Sequence, residues 1–336
     1  MTNTSIRVVL ITSSCLVFHA SAATDSSSTI TPLFGYQDDG LSAPVPEKTT
    51  VKPAENHTIL PFLGDEARKR GYELPAPFGV NINYMNIRQN INVDSINFNG
   101  LSLRGRSLDN AFKISVGNTR ERSKTETLKL DAWLLPFMNV YGLIGYTDGH
   151  SVSQIGVGIK GPLKDRTPSS LQNLAFQLDF KGTTYGVGTT LVGGVGNWFT
   201  AFDANYTQTR FDILDGSIDA LTLSPRIGYR FTTPSVDALH LPSGKLNLWV
   251  GSMYQDVQQE FSGSLNDLTM PSETLQRLVD IANKDGNGRF DVKQHLQSPW
   301  NVLVGAQYEI TRNFNVTTEI GFAERNSFFM AGEYRF

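Results

Sequence analysis

The 336-residue chain is 40% apolar and 18% charged, with 29 Lys and Arg against 32 Asp and Glu, one cysteine and a formal charge of −3. That balance argues against a nucleic-acid binder, and a single cysteine excludes an intramolecular disulfide framework. Beyond residue 22 no apolar run reaches the roughly 18 residues that a membrane-crossing helix needs.

Residues 1–22 read as a secretory signal peptide. Arg7 supplies the positive start, VVLITSSCLVF (8–18) the apolar stretch, and Ala20-Ser21-Ala22 a small-x-small cleavage site. Cleavage there removes Arg7 and Cys15, so the charge moves from −3 to −4 and no cysteine remains. An exported chain without a disulfide must be held together by other means. Residues 23–60 are rich in Ser, Thr and Pro with no sustained period, which predicts a disordered extension. In 61–77, Leu63, Ala67 and Arg70 fall at helical spacing between prolines. That short helix either leads into the first strand or lies in a barrel mouth as a partial plug.

From residue 78 the pattern changes to period two, in which successive side chains point to opposite faces of a strand. The predicted strands are 78–91, 95–103, 110–119, 125–135, 138–147, 174–195, 198–212, 218–231, 245–261, 299–310, 314–325 and 328–336. LTLSPRIGYRF (221–231) sets Leu221, Leu223, Pro225, Ile227, Tyr229 and Phe231 against Thr222, Ser224, Arg226, Gly228 and Arg230. The same split separates Val302, Val304 and Tyr308 from Asn301, Gln307 and Glu309, and Val316, Ile320 and Phe322 from Asn315, Thr317 and Glu319. A sandwich core cannot absorb an inner row that carries arginine and glutamate. A barrel with lipid outside and a wet lumen inside can. Twelve is an even count, so both ends fall on one side. Short connections at 136–137, 196–197 and 312–313 then alternate with long loops at 148–173 and 262–298 on the opposite side; the long inner linker 232–244 departs from this rule.

The last strand, FFMAGEYRF (328–336), puts Phe328, Met330, Gly332, Tyr334 and Phe336 on one row and Ala331, Glu333 and Arg335 on the other. Its terminal Phe336, with Tyr334 before it, resembles the C-terminal signature of Gram-negative outer-membrane proteins. The resemblance covers 78–336 and implies an all-β, single-chain antiparallel transmembrane β-barrel of about 12 strands. It further implies the outer membrane as location, and lipopolysaccharide, membrane lipid and the barrel assembly machinery as partners.

The inner rows predict Lys113, Lys129, Asp131, Asp203, Arg226, Arg230, Glu309, Glu319, Glu333 and Arg335 as lumen-lining. These charges either pair and seal the barrel or line a hydrated pore that selects small solutes by opposed charge. Twelve strands enclose more space than eight, whose interior side chains can fill, which favours some open lumen.

Between the long strands, PSETLQRLVDIA (271–282) places Leu275, Leu278, Val279 and Ala282 on one helical face. The next segment, NKDGNGRFDVKQ (283–294), resembles an EF-hand loop, with Asn283, Asp285, Asn287 and Asp291 at side-chain ligand positions. Position one is Asn and the closing position is Gln294, so no bidentate carboxylate closes the site. A calcium affinity of about 0.1 mM or weaker is the most it could give; a Gly-rich turn after a helix is the plainer reading. No other cofactor is implied. Nucleophile–base chemistry has little to work with. His57, His150, His240 and His295 remain beyond residue 22, and the one His/Ser cluster, His150-Ser151, splits across the two faces of a strand. The sequence therefore favours a narrow polar channel. A surface interaction or virulence-type protein using its outer loops is the alternative, and a membrane hydrolase is a distant third.

Overall fold

The computed structural model describes residues 59–70, 74–108, 112–159, 171–212, 214–234 and 244–336. The predicted signal peptide at 1–22 and all but the end of the predicted extension at 23–60 lie outside them. Among the described residues, helix α1 (Gly64–Lys69) precedes thirteen strands. These are β1 (Phe78–Asn99), β2 (Ser102–Leu103), β3 (Arg106–Ser107), β4 (Phe112–Leu135), β5 (Met138–Ile159), β6 (Leu174–Val195), β7 (Trp198–Phe211), β8 (Asp215–Thr233), β9 (Gly244–Ser264), β10 (Arg289–Leu296), β11 (Trp300–Thr311), β12 (Phe314–Phe322) and β13 (Asn326–Arg335). Helix α2 (Glu273–Ala282) lies between β9 and β10.

All strands but β2 and β3 form one antiparallel sheet, and β1 closes it by pairing with both β4 and β13. The closed ring has ten strands, because β10 joins only at one end. Two predicted pairs are single long strands: 78–91 with 95–103, and 110–119 with 125–135. Merging both pairs removes two crossings and preserves parity, so every later connection keeps its side. The 148–173 loop is shorter than expected, since β5 runs to Ile159.

The outward rows explain why the ring can bear lipid. Ile82, Leu130, Ile144, Val187, Ile227, Val250, Val304 and Ile320 are all exposed. Aromatic side chains bound this belt on both edges. At the short-turn edge, Trp198 lies 5.2 Å from Tyr229, and Phe336 lies 6.1 Å from Phe78. At the far edge stand Tyr84, Tyr146, Tyr185 and Tyr206, with Tyr254 5.2 Å from Trp300. From Leu221 to Phe231 the belt covers ten strand steps, roughly 25 Å of height at a 40° tilt. That matches the hydrocarbon band of an outer-membrane barrel.

Beyond the far edge the wall continues as a taller rim. Strand β1 pairs with β13 through Arg88↔Asn326 and then with β10 from Ile91↔Leu296. Strand β9 pairs with β11 through Tyr254↔Trp300 and then with β10 from Gln258↔His295. One strand thus fills the rim where β11–β13 have stopped. Inside this rim is a dry core that includes Leu178, Phe180, Phe261, Leu265, Leu275, Phe290 and Val292. Phe261 is fully buried, stacked at 4.8 Å on Phe211 and 5.6 Å from Phe180. Burying each such side chain contributes about 1.5–3 kcal/mol.

Candidate functional site

At belt level the inward rows mix polar and charged side chains with a buried cluster of Trp133, Val192, Phe199, Ala201 and Trp249, and they enclose a cavity of about 420 Å³. Three clusters structure it. Nearest the short turns, Asp131 accepts from Asn81 (2.8 Å) and Asn139 (2.6 Å) and pairs with Arg335 (3.0 Å). Arg335 also contacts Glu333 and donates to the Ala76 carbonyl. In the second cluster, Arg226 of β8 reaches Glu319 of β12 through two bonds of 2.6 and 2.9 Å. That bond spans the chord across β9 and β11. Trp249 Nε1 donates to the same carboxylate at 2.7 Å. In the third, Asp203 accepts from Tyr141 (2.9 Å), Thr190 (2.7 Å) and Asn205 (2.8 Å), and Lys129 Nζ lies 4.6 Å from the Tyr141 ring centre. Above these, Thr125, Thr147, Thr184 and Thr209 form a hydroxyl ladder along the wall with contacts of 2.7–2.9 Å.

The lumen ends at a polar layer below the dry core. Glu121 accepts from Gln89 (2.9 Å) and Gln259 (2.7 Å), and Gln294 donates to Gln259. Burial holds the Glu121 carboxyl above its ordinary range, and the two amide hydrogen bonds only partly offset that. Over the core lies α2. Ser272 caps it by accepting the Leu275 amide at 3.2 Å, Leu275 and Ala282 are buried beneath it, and Leu278 and Ile281 remain exposed. Gly100 adopts φ +73°, and a side chain there would collide with the Asn287 carbonyl, so the end of β1 and the turn after α2 require glycine to fit together.

Of the predicted lumen residues, Lys129, Asp131, Asp203, Arg226, Glu319, Glu333 and Arg335 line the cavity. Arg230 donates to Asn247 at 3.0 Å, and half-buried Glu309 follows Gln307 on the inward row of β11. Lys113 requires correction: it is exposed, while Ile114 and Val116 pack on the dry core. A bulge between Val116 and Thr119 reverses the phase of β4, so period two counted back from Lys129 fails above it. Tyr141, Trp249 and the threonines also line the cavity but carry no charge to draw notice.

The four calcium-ligand candidates do not converge. Asn283 Oδ1 accepts the Gly288 amide at 2.6 Å, its Nδ2 donates to Asn266, and its own amide closes α2 on Val279. Asp285 accepts from Ser102 at 3.1 Å, and Asn287 is exposed. Asp291 stands on the outward row of β10, whose inward row is Phe290, Val292, Gln294 and Leu296. Among the described residues no group of three or more His, Cys, Asp or Glu side chains could hold a metal ion. What resembles an EF-hand loop is here a helix stop followed by a strand. His150 and Ser151 do fall on opposite faces, half-buried and buried respectively. His295 meets Asp94 at 2.9 Å, and His57 and His240 lie outside the described residues. Phe336 exchanges backbone hydrogen bonds with Phe78 (3.0 and 3.2 Å), and Tyr334 lies 6.4 Å from it in the short-turn girdle.

No family model matches the chain, and no curated protein matches it. Solved structures similar to it include the β domain of the Bordetella autotransporter BrkA, at 10% identity and TM-score 0.34 over 78% of this chain and all of that one. The outer membrane protein OprG of Pseudomonas aeruginosa is 12% identical at TM-score 0.32, with 78% and 98% covered. The Ralstonia pickettii toluene transporter TbuX is 10% identical at TM-score 0.26, with 78% and 90% covered. At such identities and scores these likenesses add nothing to what the geometry of the chain itself carries.

Proposed function

We propose that the chain is an outer-membrane β-barrel whose polar lumen takes a small solute from the periplasmic side and whose outer mouth is shut by an apolar cap. The observation that carries this is the vertical order inside the wall: a polar cavity at belt level, a glutamine–glutamate layer, then a dry core under α2. Short turns at 136–137, 196–197 and 312–313 mark the periplasmic end, as in bacterial barrels generally. Assembly then relies on the barrel assembly machinery reading the terminal strand. Opposed charges on Arg226, Glu319, Asp203 and Lys129 favour a polar or zwitterionic solute. About 420 Å³ restricts it to small molecules.

Planar-bilayer conductance tests the reading. The native barrel should be nearly silent, with rare openings. Leu275→Asp puts a carboxylate into the dry core, where Leu275 is 8% exposed, and should make openings long-lived. Equal silence from an assembled Leu275→Asp barrel would contradict a capped pore. It would favour the reading in which the tall rim and the exposed Leu278 and Ile281 serve surface interaction and the barrel is an anchor.

A further inference from the structure

Immediately above the far girdle, on the outward faces of β1 and β4, stand Arg88, Arg120, Arg122 and Lys124, all exposed. The register sets Arg88 opposite Arg122, Asn86 opposite Lys124 and Asn90 opposite Arg120. Three consecutive rows of two adjacent strands thus carry four cations and no acid. Like charges placed directly across a strand pair repel. The acids nearest by register are Glu126, in the girdle row below, and Asp148, which Lys181 already holds at 2.9 Å. None of the four cations pairs with a carboxylate among the described residues.

Elsewhere on the rim several outward cations have acidic partners, although Arg210 lies against Gln208 and the Tyr185 ring. Arg289 meets Asp215 at 2.5 Å, Lys293 meets Glu260 at 3.0 Å, and His295 meets Asp94 at 2.9 Å. What sets the β1–β4 face apart is density: four cations stand in three consecutive rows, two of them directly opposed. Height matters equally. The Tyr84–Glu126–Tyr146 row marks the upper edge of the apolar belt, and Lys124 lies one row above it, Arg88 and Arg122 two rows, and Arg120 three. At about 3.3 Å per residue and a 40° tilt, these rows lie roughly 5–15 Å beyond the hydrocarbon. That is the depth of the phosphorylated headgroups of an outer leaflet.

We propose that Arg88, Arg120, Arg122 and Lys124 form a binding face for the phosphate groups of outer-leaflet lipopolysaccharide, seated against the barrel wall. The proposal rests on the outer-membrane reading. Guanidinium forks suit phosphate oxygens, and a bridging phosphate removes the Arg88–Arg122 repulsion. The belt beneath receives the same lipid's acyl chains, so headgroup and tail contacts continue one another.

The test compares lipopolysaccharide binding by the native barrel, by R88Q/R120Q/R122Q/K124Q, by the smaller R88Q/R122Q, and by a control with Lys181, Lys284, Arg289 and Lys293 changed to Gln. Heat-modifiable migration and membrane fractionation establish first that each variant is an inserted barrel; failure of the native protein there sinks the outer-membrane reading, not this one. Each cation lost near an anionic lipid surface weakens binding about fivefold. The fourfold variant should therefore bind several hundredfold more weakly and R88Q/R122Q about 25-fold more weakly, with the control within twofold of native. Removing the phosphates from the glycolipid should weaken native binding as much as the fourfold variant does. Native-level binding by the inserted fourfold variant overturns the proposal. So does unchanged binding of the dephosphorylated glycolipid, or a preference for a soluble anionic polysaccharide.

Discussion

Glu319 holds two donors at once, the Arg226 guanidinium and the Trp249 indole, and is itself only 5% exposed. The indole reaches it because Gly305 lies under its ring; a side chain at 305 would collide with Trp249 Cε2. Removing the charge strands a largely buried guanidinium. Glu319→Gln should cost about 3 kcal/mol, read as a lower urea midpoint for the heat-modifiable form, and adding Arg226→Met should recover part of that loss. Glu121 carries the opposite liability. Its carboxyl is raised by burial, so the folded state binds the proton more tightly than the unfolded chain does. Stability falls as pH rises from about 4.5 through the raised value and stays reduced above it. Glu121→Gln should abolish that step and stabilise the barrel at pH 8. A urea-midpoint profile identical to native between pH 4 and 8 would count against it.

At the scale of elements, the cap and β10 are where sequence and structure part most instructively. The helix at 271–282 is legible from its spacing and its proline, and it forms as α2. Its continuation is not legible, because NKDGNG carries both the ligand types of a calcium loop and the residues of a helix stop. Only packing, with Asn283 turned onto Gly288 and Asn266, decides between them. Strand β10 hides in the same stretch. Periodicity splits the long strands for a related reason: above the belt their outward row turns polar, at Asn90 and at Arg120–Lys124, so the lipid-facing signal stops while the strand continues. Bulges at Val93/Ser95 and Val116/Thr119 then reverse the phase, and the second of them misplaces Lys113. Lower down, the register shifts fall only near the short turns, at Trp133/Leu135 and Glu309/Thr311, and seven of the ten predicted charges line the cavity. Because Phe261 is fully buried and stacks on Phe211, Phe261→Ala should cost about 3–5 kcal/mol and loosen the cap, measured by protease sensitivity near 265–288.

For the whole molecule, closure and sidedness decide the architecture. Phe336 ties β13 to β1 through Phe78 and contributes to the short-turn girdle. Phe336→Asp should therefore lower the yield of heat-modifiable barrel while leaving export intact, as judged by fractionation. Sidedness is more general, because the lumen, the cap and the cationic face all require lipid on one face of each strand and a polar interior on the other. Arg at Ile227, 49% exposed on the outer row, should cost about 2–4 kcal/mol, whereas Arg at Thr222, which lines the cavity, should be tolerated. The most direct measurement uses a Cys15→Ser background, which removes the chain's one cysteine. Single cysteines are placed at each position from 220 to 231 of β8, and a fluorophore on each is challenged with a lipid-borne quencher in reconstituted membranes. Strong quenching is expected at Leu221, Leu223, Ile227 and Tyr229 and little at Thr222, Ser224, Arg226 and Gly228. Equal quenching of both rows, or the reverse alternation, would contradict a barrel with lipid outside and a polar lumen within.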